Sequence, residues 1–200
     1  MFRKTLLTIL MAGAASVAAL PTYAQSEGGS GGRQDVAVQG FGSFVTSTTQ
    51  NGIENKATNS GGVLTSYRFF FSKHSGIEAN YGYAESTQKY TGAEGVKTRS
   101  HEISGAYVFH MPLRKFTPFA LAGAGALVFD PKNYVDASTQ TRPAFIYGGG
   151  LDYNLSHRIF LRAEYRGFVY NSPTYSLAPL TGMDRIAHRA EPSIGFGYRF

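Results

Sequence analysis

The chain has 200 residues, enough for one domain or at most two. Only 16% of its residues are charged, whereas roughly 25% is usual in soluble domains. It also contains 24 glycines, 13 tyrosines and 15 phenylalanines, which argues against a disordered chain and against a helical bundle. The absence of cysteine excludes disulfide scaffolds, cysteine-ligated zinc and thiol nucleophiles.

The formal net charge of +6 includes two cations, Arg3 and Lys4, in a segment that we expect to be removed. Without them the chain has 17 basic and 13 acidic residues, a net charge of +4. No run of lysine or arginine resembles a phosphate-binding stripe. The sequence therefore predicts no nucleic-acid partner.

Residues 1–24 have the pattern of a secretory signal peptide, with two cations, an apolar stretch and a small-residue ending. A spanning helix needs about 20 apolar residues, and this stretch is shorter, so a retained transmembrane anchor is the weaker alternative. We expect cleavage after Ala24, with cleavage after Ala19 as the main alternative. Residues 25–34 then form a flexible Gly/Ser linker, and residues 35–200 form the folded domain.

From Asp35 onward the apolar residues recur with a period of two, which is typical of β-strands. Each predicted strand has about 11 or 12 residues, longer than the 5–6 typical of globular strands and close to the 9–11 that cross a membrane. The eight predicted strands are Asp35–Val45, Gly62–Ser72, Gly76–Ser86, His101–Met111, Pro118–Phe129, Ala144–Leu155, Ile159–Tyr170 and Ala190–Phe200.

The connections between these strands alternate in length. Long polar stretches follow every odd strand, and short turns follow every even one. The long stretches are Thr46–Gly61, Thr87–Ser100, Asp130–Pro143 and Asn171–Arg189, and the turns are Lys73–Ser75, Pro112–Thr117 and Ser156–Arg158. An up-and-down barrel with periplasmic termini has short turns on one side and long loops outside.

Each predicted strand has one apolar and one polar face. The polar face carries Arg68, Glu78, Asn80, Glu102, His110, Asp152, Asn154, Arg162, Glu164, Arg166, Glu191 and Arg199. In the stretch Pro118–Phe129 we assign Phe119, Leu121, Leu127 and Phe129 to the apolar face.

Periodicity alone does not decide which face is inside the barrel. Aromatic residues gather near the strand ends, while several strand centres hold Leu, Gly and Ala. Aromatic girdles around an aliphatic band are typical of a barrel in a bilayer. We therefore expect an all-β, eight-stranded antiparallel up-and-down transmembrane β-barrel with its apolar face toward lipid, and a soluble barrel with an aromatic-rich core as the alternative.

The terminal stretch Pro192–Phe200 alternates apolar residues and ends in an aromatic. It resembles the signal by which the barrel-assembly machinery recognises its clients, carried here by Ile194, Phe196, Tyr198 and Phe200. With its eight strands and signal peptide, the chain resembles small bacterial outer-membrane barrels such as the OmpA transmembrane domain, OmpX and the opacity proteins. The resemblance implies a monomer in contact with lipopolysaccharide and phospholipid. Full-length OmpA continues into a peptidoglycan-binding domain, whereas this sequence stops at Phe200, so wall anchoring is not implied.

An eight-stranded barrel has an interior just wide enough for side chains to fill, and a lone buried ion costs several kcal/mol. We therefore expect the interior charges to pair, with Asp152 across from Arg162 and Arg68 close to Glu78. The predicted network is Arg68, Glu78, Asp152, Arg162, Glu164, Arg166, Glu191 and Arg199. These residues form either a plug or, as the alternative, the lining of a narrow pore.

Each short turn holds two basic groups: Lys73 and His74, Arg114 and Lys115, and His157 and Arg158. They are either ordinary solvated residues or anchors at anionic phospholipid head groups of the periplasmic leaflet.

Glu85 and His101 lie near the outer rim, where lipid A-modifying barrels keep their catalytic residues. Ser86, Ser100 and Ser104 face the opposite way to His101, unless the loop geometry turns one of them. No G-x-S-x-G motif occurs, and the histidines lack ligand spacing. We therefore expect no catalysis, no metal and no cofactor.

The predicted function is a structural or surface-interaction role, adhesin- or antigen-like, through four extracellular loops of mixed charge. A small channel for small or apolar solutes is the alternative, and a lipid A-modifying enzyme is a more distant one.

Overall fold

The computed structural model describes residues 33–45, 48–50, 53–57, 60–90, 96–131, 139–171 and 186–200. These residues form strands and the turns between them. The strands are β1 (Arg33–Val45), β2 (Thr48–Gln50), β3 (Ile53–Ala57), β4 (Ser60–Phe70), β5 (Ser75–Tyr90), β6 (Val96–His110), β7 (Phe116–Pro131), β8 (Gln140–Asn154), β9 (Ile159–Asn171) and β10 (Ile186–Arg199). Within the described ranges, helices of the length and apolarity needed to span a membrane are absent.

The eight long strands form a closed antiparallel ring. Around the ring the order is β1, β4, β5, β6, β7, β8, β9 and β10, and β1 pairs with β10 to complete it. At the closure the backbone N–H of Phe200 also donates to the carbonyl of Gln34, at 3.0 Å. The predicted eight-stranded up-and-down barrel is confirmed.

The strands reach further than the apolar pattern predicts. β5 continues to Tyr90, and the short strand β3, inside the first predicted loop, pairs with this extension. Backbone hydrogen bonds need no apolar side chain, so a ladder can continue past the residues that face lipid. At the other end, Arg33 and Gln34 belong to β1 and not to the linker. The predicted signal peptide lies outside the described residues.

The outer surface of the barrel is apolar and the interior is charged, the inverse of a soluble protein. Large hydrophobic side chains on every long strand are exposed, among them Val38, Ile77, Phe145 and Phe196. By contrast, Arg162 and Asp35 are completely buried. The predicted outward orientation of the apolar face is therefore confirmed for most of the barrel.

One strand, β7, is oriented the other way. We predicted that Phe119, Leu121, Leu127 and Phe129 face lipid, but all four are buried inside the barrel. The outward positions of β7 include Ala120, Ala122 and Ala124 instead.

The register of the β6–β7 hairpin explains this error. Cross-strand partners share a face of the sheet. Glu102 pairs with Leu127, and His110 pairs with Phe119. Because Glu102 and His110 point inward, their partners point inward too. Neither face of β7 carries a charge within Pro118–Phe129, so its own alternation could not identify the inner face.

Candidate functional site: the charged interior

The barrel register brings most of the predicted interior residues into opposed pairs. Arg68 lies opposite Glu78, Asp152 opposite Arg162, and Glu191 opposite Arg166. Seven of the eight predicted residues are buried, and Arg199 is half-buried at the end of β10.

Arg162 on β9 contacts three other strands. Its guanidinium donates two hydrogen bonds to Asp152, with Nε–Oδ1 at 2.7 Å and Nη2–Oδ2 at 2.9 Å. Nη2 also lies 3.3 Å from Oδ1 of Asp35, and Nη1 donates to Oγ of Ser66 at 3.2 Å. The forked geometry of arginine permits this bidentate contact, which a lysine could not make.

Arg68 on β4 forms a second centre. It is hydrogen-bonded to Glu78 on the neighbouring strand, and its Nη2 lies 3.4 Å from Oε2 of Glu164. Its Nη1 lies 3.7 Å from Oδ2 of Asp152. The guanidinium carbon lies 4.0 Å from the ring centre of Phe119, a cation–π contact.

Arg166 extends the network toward the loop end. Its Nη1 donates to Oε1 of Glu102 at 2.9 Å, and its Nε lies 3.0 Å from Oε1 of Glu164. Glu191 forms its ion pair with Arg189, its neighbour along β10, although it lies opposite Arg166 in the ladder. Arg199 donates to Oδ1 of Asn154 at 3.2 Å.

The predicted network lacked several interior partners that the structure shows, among them Asp35, Glu102, Arg189 and Phe119. Glu102 was placed on the polar face, and its contact with Arg166 joins strands that are not neighbours. Asp35 and Arg189 lie at boundaries of predicted strands and loops. Charge at interior-facing positions of β1 and β10 was the signal that could have indicated them.

Several of these contacts cross the lumen. β4 and β8 are four strands apart in the ring of eight, so Arg68 and Asp152 approach each other from opposite walls. The contact of Arg166 with Glu102 joins β9 to β6, three strands apart. Side chains from opposite walls thus meet near the barrel axis.

Apolar side chains also lie in the interior. A buried cluster from β4 and from β6 to β10 includes Leu121, Leu127, Ile146, Phe168 and Tyr170. The inward orientation of β7 supplies two of these residues. Together with the ion pairs, this cluster places side chains from six strands inside the barrel, as expected for a barrel of eight strands.

The residues of the predicted assembly signal lie on the outer face of β10. Ile194, Phe196 and Tyr198 alternate with inward positions, and Phe200 follows the strand, 69% exposed.

The rim residues Glu85 and His101 have different partners. Glu85 accepts hydrogen bonds from Tyr83 and Arg99, at 2.8 and 2.9 Å. The His101 ring is hydrogen-bonded through Nδ1 to the Tyr81 hydroxyl at 2.9 Å.

The sequence profile of a family described as "Outer membrane protein beta-barrel domain" matches residues 6–200. Among curated proteins, the 25 kDa outer-membrane immunogenic proteins of Brucella canis and Brucella abortus are each 28% identical over 125 residues. This segment is 62% of the present chain, and it spans only 57% of the length of each relative.

Two solved structures share the fold. The outer membrane protein OprG from Pseudomonas aeruginosa is 13% identical, with a TM-score of 0.64 over 84% of this chain and 96% of that one. Neisserial surface protein A is 12% identical, with a TM-score of 0.63 over 84% of this chain and 97% of that one. At these identities the likeness concerns the fold alone.

Proposed function

Because the chain belongs to the outer membrane protein β-barrel domain family, we propose that it is a closed, non-catalytic barrel that acts at the cell surface through its extracellular loops. Its location is the bacterial outer membrane, and the barrel supports loops that contact partners outside the cell. A cleaved signal peptide stays a prediction, as do a monomeric state, contact with lipopolysaccharide and insertion by the barrel-assembly machinery.

The observation that carries this proposal is the set of side-chain contacts across the lumen. Arg68 and Asp152 from opposite walls lie 3.7 Å apart, and Phe119 packs on the same guanidinium. Opening a path would separate buried ions from their partners, which is strongly unfavourable. This arrangement favours surface interaction over transport. The Brucella relatives are described as immunogenic and the neisserial protein as a surface protein, and both descriptions agree with exposed loops.

A closed interior predicts a negligible conductance. We expect purified barrel in planar bilayers at 1 M KCl to show no steady channel, because contacts between opposite walls occupy the axis. The matched comparison is Arg68→Ser with Asp152→Ser, which removes one such contact. Regular steps of sizeable conductance from the wild-type protein would instead support the channel alternative.

Surface exposure of the loops is tested on intact cells. Antibodies raised against peptides 132–138 and 172–185, within the predicted loops, should label cells that express the protein. Antibodies against the turn peptide 111–117 should label them only after the outer membrane is permeabilised, because short turns lie on the periplasmic side. The reverse labelling pattern would contradict the proposed orientation and with it the role of the loops.

The proposal that the chain is not an enzyme is supported by a contact at the rim. Nδ1 of His101 is hydrogen-bonded to the Tyr81 hydroxyl. In a catalytic triad this nitrogen is instead oriented by a carboxylate, so that the imidazole can activate a nucleophile.

A further inference from the structure

The short turns at one end of the barrel carry basic side chains and no acidic ones. The three turns, residues 71–74, 111–115 and 155–158, contain six basic side chains and no acidic one. All six side chains are exposed: Lys73, His74, Arg114, Lys115, His157 and Arg158. Arg33, at the start of β1 on the same end, adds a further exposed cation. We call these turns the turn rim.

The same turns expose large apolar side chains beside the cations. Phe71, Met111, Leu113 and Leu155 are between 52% and 61% exposed. Single exposed apolar residues are common on protein surfaces. Here each of the three turns combines at least one such residue with two basic ones, which fits a boundary between hydrocarbon and charged head groups.

Local hydrogen bonds hold the turns in shape. The Ser72 hydroxyl accepts from the backbone N–H groups of His74 and Ser75, at 3.3 and 3.0 Å. The Ser156 hydroxyl accepts from those of Arg158 and Ile159 in the same way, at 3.3 and 3.0 Å. The basic side chains of these two turns therefore extend from a constrained backbone.

The Arg158 side chain lies against the outer wall of the barrel. Its Nη1 donates to the Tyr198 hydroxyl at 3.0 Å, and Tyr198 belongs to the outward face of β10. A guanidinium in this position lies where a lipid head group would meet the barrel, and not over the lumen. Tyrosine at such a boundary is itself typical of membrane interfaces.

We propose that the turn rim binds the phosphates of anionic phospholipids in the periplasmic leaflet. The cations supply the attraction, and the exposed apolar residues of the same turns enter the acyl region beneath the phosphates. The predicted loops at the opposite end carry both signs of charge, for example Glu54 with Lys56 and Asp184 with Arg185. The preference for anions is thus confined to one leaflet.

Lipid selectivity in vesicles tests this proposal. Folded barrel is reconstituted in phosphatidylcholine, and electron spin resonance measures the protein-bound fraction of spin-labelled phosphatidylglycerol and of spin-labelled phosphatidylcholine. We expect a preference for phosphatidylglycerol on the order of fivefold, the equivalent of one surface cation. The preference should decrease in 1 M NaCl because salt screens exposed charges.

The decisive variant is Lys73→Gln with Arg114→Gln and Lys115→Gln, which removes three of the exposed cations and should clearly reduce the preference. Its matched control, Lys73→Arg with Arg114→Lys and Lys115→Arg, keeps the charges and should keep the preference. All three residues are exposed, so both variants should fold, and the mobility of unboiled samples in gels checks this. Arg158 is left in place because it contacts Tyr198.

Three results would overturn the proposal. The first is no preference in the wild type, or an equal preference in the glutamine variant. The second is loss of the wild-type preference in inorganic phosphate at constant ionic strength, which would indicate a site for free phosphate. The third is binding of peptidoglycan through the same cations without any lipid selectivity. The vesicle measurement depends on the folded barrel in a membrane and not on the loops, so failed antibody labelling of the loops would leave this experiment unaffected.

Discussion

Replacing Arg162 by methionine is expected to destabilise the folded barrel by about 3–5 kcal/mol, the usual effect of breaking a buried ion pair. The side chain is completely buried, and its removal leaves Asp152 and Asp35 without their shared cation. The free energy of unfolding is measured by urea titration in lipid vesicles, followed by gel mobility or circular dichroism. Tryptophan fluorescence cannot be used, because the chain has no tryptophan.

Two matched variants separate the loss of the ion pair from other effects of Arg162→Met. Adding Asp35→Asn and Asp152→Asn removes the orphaned charges and should restore most of the stability, since neutral replacements of a buried pair are often tolerated. Arg99→Met removes an exposed partner of Glu85 and should leave stability unchanged within error. A triple variant less stable than Arg162→Met would show that the interior needs the charges themselves.

Arginine in place of Ala122 is expected to destabilise the barrel by roughly 2–4 kcal/mol, the effect of a lipid-facing cation near the bilayer midplane. Ala122 is exposed near the middle of β7, between Tyr107 and Tyr147 on the adjacent strands. The measurement is the same urea titration. Ala122→Leu, which is also larger but apolar, should have little effect.

Because the chain has no cysteine, the orientation of β7 can be tested directly with single-cysteine variants. A lipid-soluble maleimide should label Ala122→Cys in vesicles and not Leu121→Cys. The opposite result, together with a tolerated Ala122→Arg, would restore the orientation that the apolar pattern predicts for this strand and contradict the β6–β7 register.

Much of the interior could be predicted because some charged residues face each other across a single turn. Asp152 and Arg162 flank the turn at Ser156, and Arg68 and Glu78 flank the turn at Lys73. Counting back from each turn is sufficient to oppose them. The same counting through the predicted turn Pro112–Thr117 opposes His110 and Phe119, and it identifies the inner face of β7 where apolarity could not.

By contrast, the contacts made after the sheet closes join residues that are far apart in the chain. Asp35 and Arg162 are 127 residues apart in the chain, and Arg68 and Glu164 are 96 residues apart. No turn relates these residues, so nothing local in the sequence indicates that they meet. They become neighbours only when β1 pairs with β10 and the sheet closes.

By itself, the sequence determined the number of long strands and their alternating connections, because period-two alternation and turn residues are local properties. The position of the aromatic residues along the strands indicated the side that faces lipid. The tertiary structure alone decided which charges meet at the axis, and its register corrected the face of β7 that points inward. Those outcomes depend on the register of the strands and on the closure of the sheet. Closure sets the distance between opposite walls, and at that distance side chains from opposite strands come into contact.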